Sequence, residues 1–322
     1  MARSFVRRIT ALAGGVGAAR LLRGVNRLVR ARDLSIVVNT ADDEEFYGLH
    51  VSPDLDTAVY NLAGMAPQGR GWGLAGDSAR VLGALRRFYR TSWFGLGDLD
   101  LATHIYRTHA LASGRTLGQV TAEIATRFGV KSRVLPMSNE TVRTIVRTRA
   151  GGTLTFQEYF VRRGARDPVA RLSYRGLKRA RPAPGVLEAI RRADALLLPP
   201  SNPFTSIRPI LGVAGVAQAL QDRRAPLVAV SPVAGGRAVR GPLGGMLRAA
   251  GYPVSPLGIA DVYRGLLDGM VIDSADAMAR PELERRGLAV ATADVYMDSI
   301  AKSVAVARTA LALLRELRGR RR

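Results

Sequence analysis

The sequence predicts an α/β fold built on a mostly parallel sheet, with a mixed α+β insertion. Three observations predict it. Short apolar runs, Ile9–Ala13, Ile36–Val38, Ala195–Leu198, Leu227–Val230 and Gly269–Asp273, recur along the chain, and several of them run into glycine-, proline- or acid-rich loops. Strands covered on both faces read as continuous apolar runs of this kind rather than as alternating patterns. Stretches of helical periodicity separate them, as crossovers between parallel strands require. Between the two halves the periodicity turns from helical to strand-like and back, which divides the chain into a first part of the core (1–84), an insertion covering the active site (85–175), and a second part of the core with a C-terminal helix (176–322).

The chain has 322 residues, of which 47% are hydrophobic, enough for one large α/β domain or two smaller units. No apolar run reaches the length that spans a membrane. The N-terminal MARSFVRRITALAGG reads as a strand and glycine turn rather than a signal peptide, because Arg20 and Arg23 interrupt its apolar continuation. There is no cysteine, which excludes disulfides, thiolate ligands and cysteine nucleophiles. A cytoplasmic location is expected. The formal charge of +22 comes almost wholly from arginine, since Lys131, Lys178 and Lys302 are the only lysines. Such a surface attracts polyanions unspecifically at low salt. No zinc finger, RNP-like strand or basic patch interleaved with aromatics specifies a nucleic-acid module, so no specific nucleic-acid partner is expected.

Arg8–Ala13 forms the first strand and runs into Gly14-Gly15-Val16-Gly17-Ala18-Ala19-Arg20. A strand, a glycine turn and a helix offer backbone N–H groups and a positive helix end to an anion. The motif is neither a Walker A loop nor a complete GxGxxG fingerprint, and a tight structural turn fits it as well. Arg20 reads as a phosphate donor or as a solvated helix residue. Residues 24–33 complete the helix, and 34–39 form the second strand, which ends in Asn39-Thr40. There Asp42, Asp43, Glu44 and Glu45 crowd four carboxylates together. A solvated acidic turn and a site for a hard cation such as Mg²⁺ both fit. Asp54 and Asp56 follow the turn-forming Gly48 and Pro53 and precede a helix near Thr57.

Glycines dominate 69–76, where Trp72 can cover a planar ligand or pack at an edge. A helix spans Ala79–Tyr89. In the next, Asp100, His104, Arg107 and Thr108 share one face; it can grip a polyol or phosphate, or be a hydrogen-bonded helix surface. His109 falls off that face, His50 reads as a local loop residue, and the three histidines lack zinc spacing. A helix at 116–128, a strand at Lys131–Leu135, the loop holding Ser138, Asn139 and Glu140, and a hairpin of Val142–Thr148 with Thr153–Phe156 complete the middle portion. Phe156 adds aromatic surface.

In the second half, a helix at Gly185–Arg192 precedes the strand Ala195–Leu198. The proline-rich loop after it presents Ser201, Asn202, Ser206 and Arg208 for recognition. Ser201 has no G-x-S-x-G elbow, so binding suits it better than nucleophilic attack. After Leu227–Val230, Arg237 and Arg240 are either a phosphate clamp or a basic turn. A strand at Leu288–Thr292 and a final helix at about 299–317 end the chain, with a solvent-exposed arginine tail at 315–322.

Taken in order, IVVNTADDEEFYGLHVSPDLDTAVYNLAG, LGDLDLATHIYRTHAL, LPMSNETVRT, FQEYFVRR, LPPSNPFTSIRPIL and VAVSPVAGGRAVRGP closely resemble the 2-phospho-L-lactate transferase family of coenzyme F420 biosynthesis, over about residues 8–300. The resemblance implies a Rossmann-like core and a homodimer. It implies transfer of a 2-phospho-L-lactyl or phosphoenolpyruvyl group from a diphosphoguanosine donor to the terminal ribityl hydroxyl of the deazaflavin Fo, with loss of GMP and with Mg²⁺ as cofactor. Asp43 and Asp56 then lie closest to the metal and the chemistry, with Asp42 and Asp54 as alternatives. Gly14, Gly15 and Gly17 shape the turn that faces phosphate or acceptor. Ser201, Asn202, Ser206 and Arg208, with Asn139, recognise the guanosine diphosphate. Asp100, His104 and Arg107 close over the acceptor, whose rings meet Trp72 or Phe156. The sequence departs from the family pattern at Val16 in the first turn, at Asn139-Glu140, and at Asp294-Val295. The alternative is a nucleotide-sugar-binding metabolic regulator of related fold.

Overall fold

A computed structural model describes residues 6–320. Seven parallel strands form the central sheet: β1 (Ile9–Ala13), β2 (Leu34–Val38), β3 (Arg133–Pro136), β4 (Ala195–Leu198), β5 (Leu227–Val230), β6 (Gly269–Asp273) and β7 (Ala289–Ala293), in the spatial order β7-β6-β5-β4-β1-β2-β3. From β1 the chain first builds outward through β2 and β3, then crosses back to β4 on the other side of β1. The carboxyl ends of β1 and β4 therefore diverge into loops on either side of a crevice, where ligands of open α/β sheets bind.

The core strands are apolar on both faces because helices cover both. Every residue of β1 is buried. One layer holds α1 (Gly15–Leu28), α2 (Pro53–Leu62) and α5 (Ile300–Arg320), whose Leu21, Leu22, Tyr60, Leu311 and Leu314 pack together. Gly24 is where α1 meets α5: a Cβ there would stand 2.2 Å from the Ser303 carbonyl oxygen, so only glycine permits the approach. The opposite face is covered by a second cluster that includes Phe204, Ile207, Leu247 and Ile259.

The segment between β2 and β4 supplies an edge strand of the central sheet and several elements around it. Strand β3 pairs in parallel with β2. Around it lie α3 (Asp98–Ala112), α4 (Leu117–Arg127) and a three-stranded antiparallel sheet in which Arg143–Thr148 is flanked by Thr153–Thr155 and Val169–Arg175. A short hairpin, Glu44–Phe46 with Leu49–Val51, turns through Tyr47 and Gly48, both at positive φ.

Several elements differ from the sequence expectation. Helix α1 stops at Leu28, because Val29 turns extended and a short 3₁₀ turn occupies Ala31–Asp33. The helix expected at Ala79–Tyr89 is regular over Arg80–Leu85 alone, a six-residue element with one buried residue, Leu82. Helix α2 begins at Pro53, not near Thr57, since a proline at the first helical position needs no N–H partner. The third strand of the small sheet, Val169–Arg175, had no counterpart in the sequence reading. The last helix extends to Arg320, and its end is not wholly exposed: Leu317 is buried, and Arg318 donates to the Asp194 carboxylate. Residues 1–5 of the N-terminal stretch and residues 321–322 of the arginine tail lie outside the described residues. No described helix is long and apolar enough to cross a membrane.

Candidate functional site

The crevice between β1 and β4 opens into a cavity of about 550 Å³, within the range of small-molecule sites. Its floor is the glycine turn. The Gly14 N–H donates to Ser201 Oγ at 3.2 Å, and the Gly15 N–H donates to Asp54 Oδ1 at 2.8 Å. The two loops touch so closely that a Cβ on Gly14 would lie 2.6 Å from both Asp54 Oδ2 and Ser206 Cβ, and one on Gly17 would lie 2.6 Å from the Pro200 carbonyl oxygen. These glycines are fixed by contact as well as by chain conformation. The positive end of α1 already faces an anion, the Asp54 carboxylate, held there because Asp54 sits in the first turn of α2.

Asn39, at the end of β2, ties the acids together. Its Nδ2 donates to Asp42 Oδ2 at 3.2 Å and to Asp54 Oδ2 at 3.0 Å, while its Oδ1 accepts from the Ala41 N–H. Asp42 and Asp54 both line the cavity. Asp43 stands behind them, accepting from Ser52 Oγ at 2.7 Å and facing His50 Nε2 at 3.2 Å. No cation contacts Asp42 or Asp54 among the described residues, and Oδ1 of both Asp42 and Asp43 is buried without a hydrogen-bond partner. Burial, reinforced by the Asp54 charge, pushes Asp42 well above the usual carboxylate range. Burial, with Asp43 adding to it, raises Asp54 to about 6. Two acids held near one amide with no cationic side chain against them are the arrangement a divalent cation relieves.

A second buried polar network lies deeper, on α3. Arg107 is 1% exposed and forks onto Asp56: Nη1 donates to Oδ2 at 3.1 Å, and Nη2 to Oδ1. Arg107 Nη1 also approaches His104 Nδ1 at 3.3 Å and the His50 carbonyl at 3.4 Å. Asp100 Oδ1 accepts from Tyr60 OH at 2.7 Å, and the same hydroxyl reaches Thr103 Oγ1 at 2.9 Å. Burial raises Asp56 even though Arg107 opposes it. For Asp100 the upward push of burial is outweighed by the His104 ring and the Tyr60 hydroxyl, which hold it below the usual range. Asp56, Asp100 and His104 each offer a ligand atom within 4.8 Å of the others, so this buried cluster can also hold a divalent metal on distance alone.

The structure gathers Gly14, Gly15, Gly17, Asp42, Asp54, Asp56, Asp100, His104, Asn202 and Ser206 around one cavity, with Trp72 and Phe156 in its wall. The other residues singled out in the sequence are placed differently. Ser201 holds the Gly14 N–H. Asn139 Oδ1 accepts from the Gly118 N–H at the start of α4, and Arg208 is exposed with its guanidinium over the Phe204 ring; neither lines the cavity. Arg20 donates to the carbonyls of Met297, Gln68 and Gly69, while Arg240 lines the cavity and reaches the Arg70 carbonyl. Asn39, Ser52 and Tyr60 have no role in the sequence analysis, and His50, read there as a local loop residue, lies in the hairpin strand Leu49–Val51 against Asp43. Asn39 carried a signal, a polar residue ending a buried strand; the His50 contact depends on the hairpin returning over Asp43.

The family model for 2-phospho-L-lactate transferase CofD matches residues 9–312. The chain belongs to the 2-phospho-L-lactate transferase CofD family. Within and around this family it is 42% identical to a phosphoenolpyruvate transferase of Kitasatospora aureofaciens, over 97% of this chain and 99% of that protein. It is 38% identical to a 2-phospho-L-lactate transferase of Methanopyrus kandleri over the same shares. A crystal structure of a upf0052 family member from Bacillus halodurans shares the fold, with a TM-score of 0.64 at 18% identity over 95% of this chain and 99% of that one.

Proposed function

We propose that this family member joins the three-carbon phosphate of a diphosphoguanosine donor to the terminal ribityl hydroxyl of Fo. Family membership makes the chain a transferase of a 2-phospho-L-lactyl or phosphoenolpyruvyl group in coenzyme F420 biosynthesis. In the reaction the hydroxyl oxygen bonds to the phosphorus bearing the three-carbon group, the bond from that phosphorus to GMP breaks, and the hydroxyl proton is lost.

The observation that carries the site assignment is the set of uncompensated acids beside the glycine turn. We assign Mg²⁺ to Asp42 and Asp54, which line the cavity, with Asp43 behind them. Asp56 is better satisfied, because Arg107 occupies both of its oxygens. Bound at Asp42 and Asp54, Mg²⁺ would offset the charge of the diphosphate as GMP departs. The chain's own residues orient the donor. The Gly14–Gly17 turn leaves room for close backbone approach, Asn202 and Ser206 face the same space, and Arg240 supplies positive charge at the wall. Trp72 and Phe156 offer aromatic surface for the deazaflavin rings. No covalent protein nucleophile is required; alignment and charge stabilisation suffice.

The test is purified protein with Mg²⁺, Fo and each candidate donor in turn. GMP release coupled to a new deazaflavin phosphodiester is expected. Tight donor binding without turnover would contradict the proposal and favour a regulator.

A further inference from the structure

His104 is almost wholly buried, at 1% exposure, yet it lines the cavity. Its two ring nitrogens have different surroundings. Nδ1 lies 3.3 Å from Arg107 Nη1 and 3.7 Å from Asp56 Oδ2. A guanidinium only donates, so the nearer contact requires a lone pair on Nδ1. The proton of a neutral ring then sits on Nε2. That atom is buried, and its one polar neighbour is Asp100 Oδ1 at 3.4 Å, a contact that steadies the carboxylate but is too long to satisfy the N–H. Asp100 Oδ1 is meanwhile occupied by the Tyr60 hydroxyl. An unsatisfied N–H therefore stands beside a carboxylate, with both residues in the cavity wall. A buried donor left short of an acceptor is costly, and a ligand oxygen that reaches it recovers that cost.

We propose that His104 and Asp100 form a hydroxyl-binding pair for the polyol chain of the acceptor, with Arg107 as the positioning residue that fixes the His104 tautomer. A hydroxyl both donates and accepts, so one alcohol group can receive the Nε2–H and give its own hydrogen to Asp100. A phosphate oxygen would suit His104 but meet repulsion from Asp100. The same argument separates this cluster from a metal site: Nδ1 is engaged by Arg107, Nε2 carries hydrogen, and Asp56 is neutralised by Arg107. The identity of the alcohol rests on the transferase reading; the tautomer does not.

The experiment uses the full chain labelled with ¹⁵N-histidine. Long-range proton–nitrogen correlation of the ligand-free protein is expected to show His104 with hydrogen on Nε2 and an unprotonated Nδ1. The signal is assigned by its loss in His104→Gln, or by elimination with His50→Gln and His109→Gln should that variant not fold. Hydrogen on Nδ1, or on both nitrogens, overturns the proposal. Addition of Fo should shift the Nε2–H signal, whereas GDP alone should not; an Fo-bound protein with an unshifted signal also overturns it. In turnover, His104→Gln places an amide donor near Nε2 and should keep the KM for Fo within about 3-fold, while His104→Asn cannot reach and should raise it about 10-fold, the scale of one hydrogen bond. The KM for the donor should stay unchanged in both. Equal effects in the two variants, or a change confined to the donor KM, refute the pairing. A wild type that binds Fo with the expected shift but releases no GMP would refute the transferase reading and leave the hydroxyl pair standing.

Discussion

Replacing Arg107 by Met tests whether the second network is a charge-compensated unit. Arg107 is 1% exposed and Asp56 5%, so neither group has water to fall back on. Arg107→Met keeps the apolar stem but leaves the Asp56 carboxylate without its forked partner, and deprives His104 Nδ1 and the His50 carbonyl of a donor. Removing one partner of a buried pair costs about 3–5 kcal/mol, and the extra lost contacts place this substitution toward the upper end. Against a total stability of about 5–15 kcal/mol, that is a large fraction. With an m-value of about 3 kcal/mol/M, the urea midpoint should fall by about 1.5 M. Asp56→Asn in the same chain removes the stranded charge at almost the same volume, and its amide can donate to His104 Nδ1. The double variant should recover about 2 kcal/mol or more of the loss. An Arg107→Met protein within about 1 kcal/mol of the wild type, or a double variant no more stable than the single, would refute the reasoning.

The remaining predictions concern the acids beside the glycine turn. Asp42→Asn and Asp54→Asn should each lower Mg²⁺-dependent turnover by about 10²-fold or more, the scale of losing one preorganised electrostatic contact; far-UV circular dichroism and the melting temperature should be retained or raised, because like-charge crowding is relieved. In the presence of a chelator, stability should fall as pH rises from about 4 to about 6. Asp54 is raised from 3.8 to about 6 in the folded chain, so across that window the folded state keeps a proton that the unfolded state has released. The contribution is present below the unfolded value and lost above the folded one. It amounts to at most about 3 kcal/mol, since Asp54 is half-buried at the cavity and water there screens it. Denaturant titrations across pH should show this slope in the wild type and a shallower one in Asp54→Asn, with Mg²⁺ at 100-fold its Kd restoring about 2.7 kcal/mol at pH 7.5 in the wild type. An unchanged slope in the variant would count against the assignment.

How much of this was legible in the sequence depended on how local the determining contacts were. The strands of the central sheet announced themselves because burial on both faces removes polar residues from them. The family motifs carried the activity, and the i, i+4, i+7 spacing of Asp100, His104 and Arg107 correctly put them on one helix face. What spacing could not reveal was direction. Arg107 points at Asp56 from a helix 51 residues away in sequence, and that contact is what separates Asp56 from the acids left without a cation. Similarly, Asn139 sits in a strand-end loop, like many ligand residues, but its oxygen is used by the neighbouring helix start. The role of Asn39 as a bridge between Asp42 and Asp54 emerges only when α2 starts at Pro53 and brings Asp54 back over the end of β2.

The central claim is that a divalent cation is held by Asp42 and Asp54, backed by Asp43, where the diphosphate must lie. A crystal of the protein with a diphosphoguanosine donor and Mn²⁺ in place of Mg²⁺, measured by anomalous scattering, tests it most directly. The account predicts a peak between the Asp42 and Asp54 carboxylates, in contact with the diphosphate. A peak seated instead among Asp56, Asp100 and His104, with Asp42 and Asp54 unligated, would contradict it.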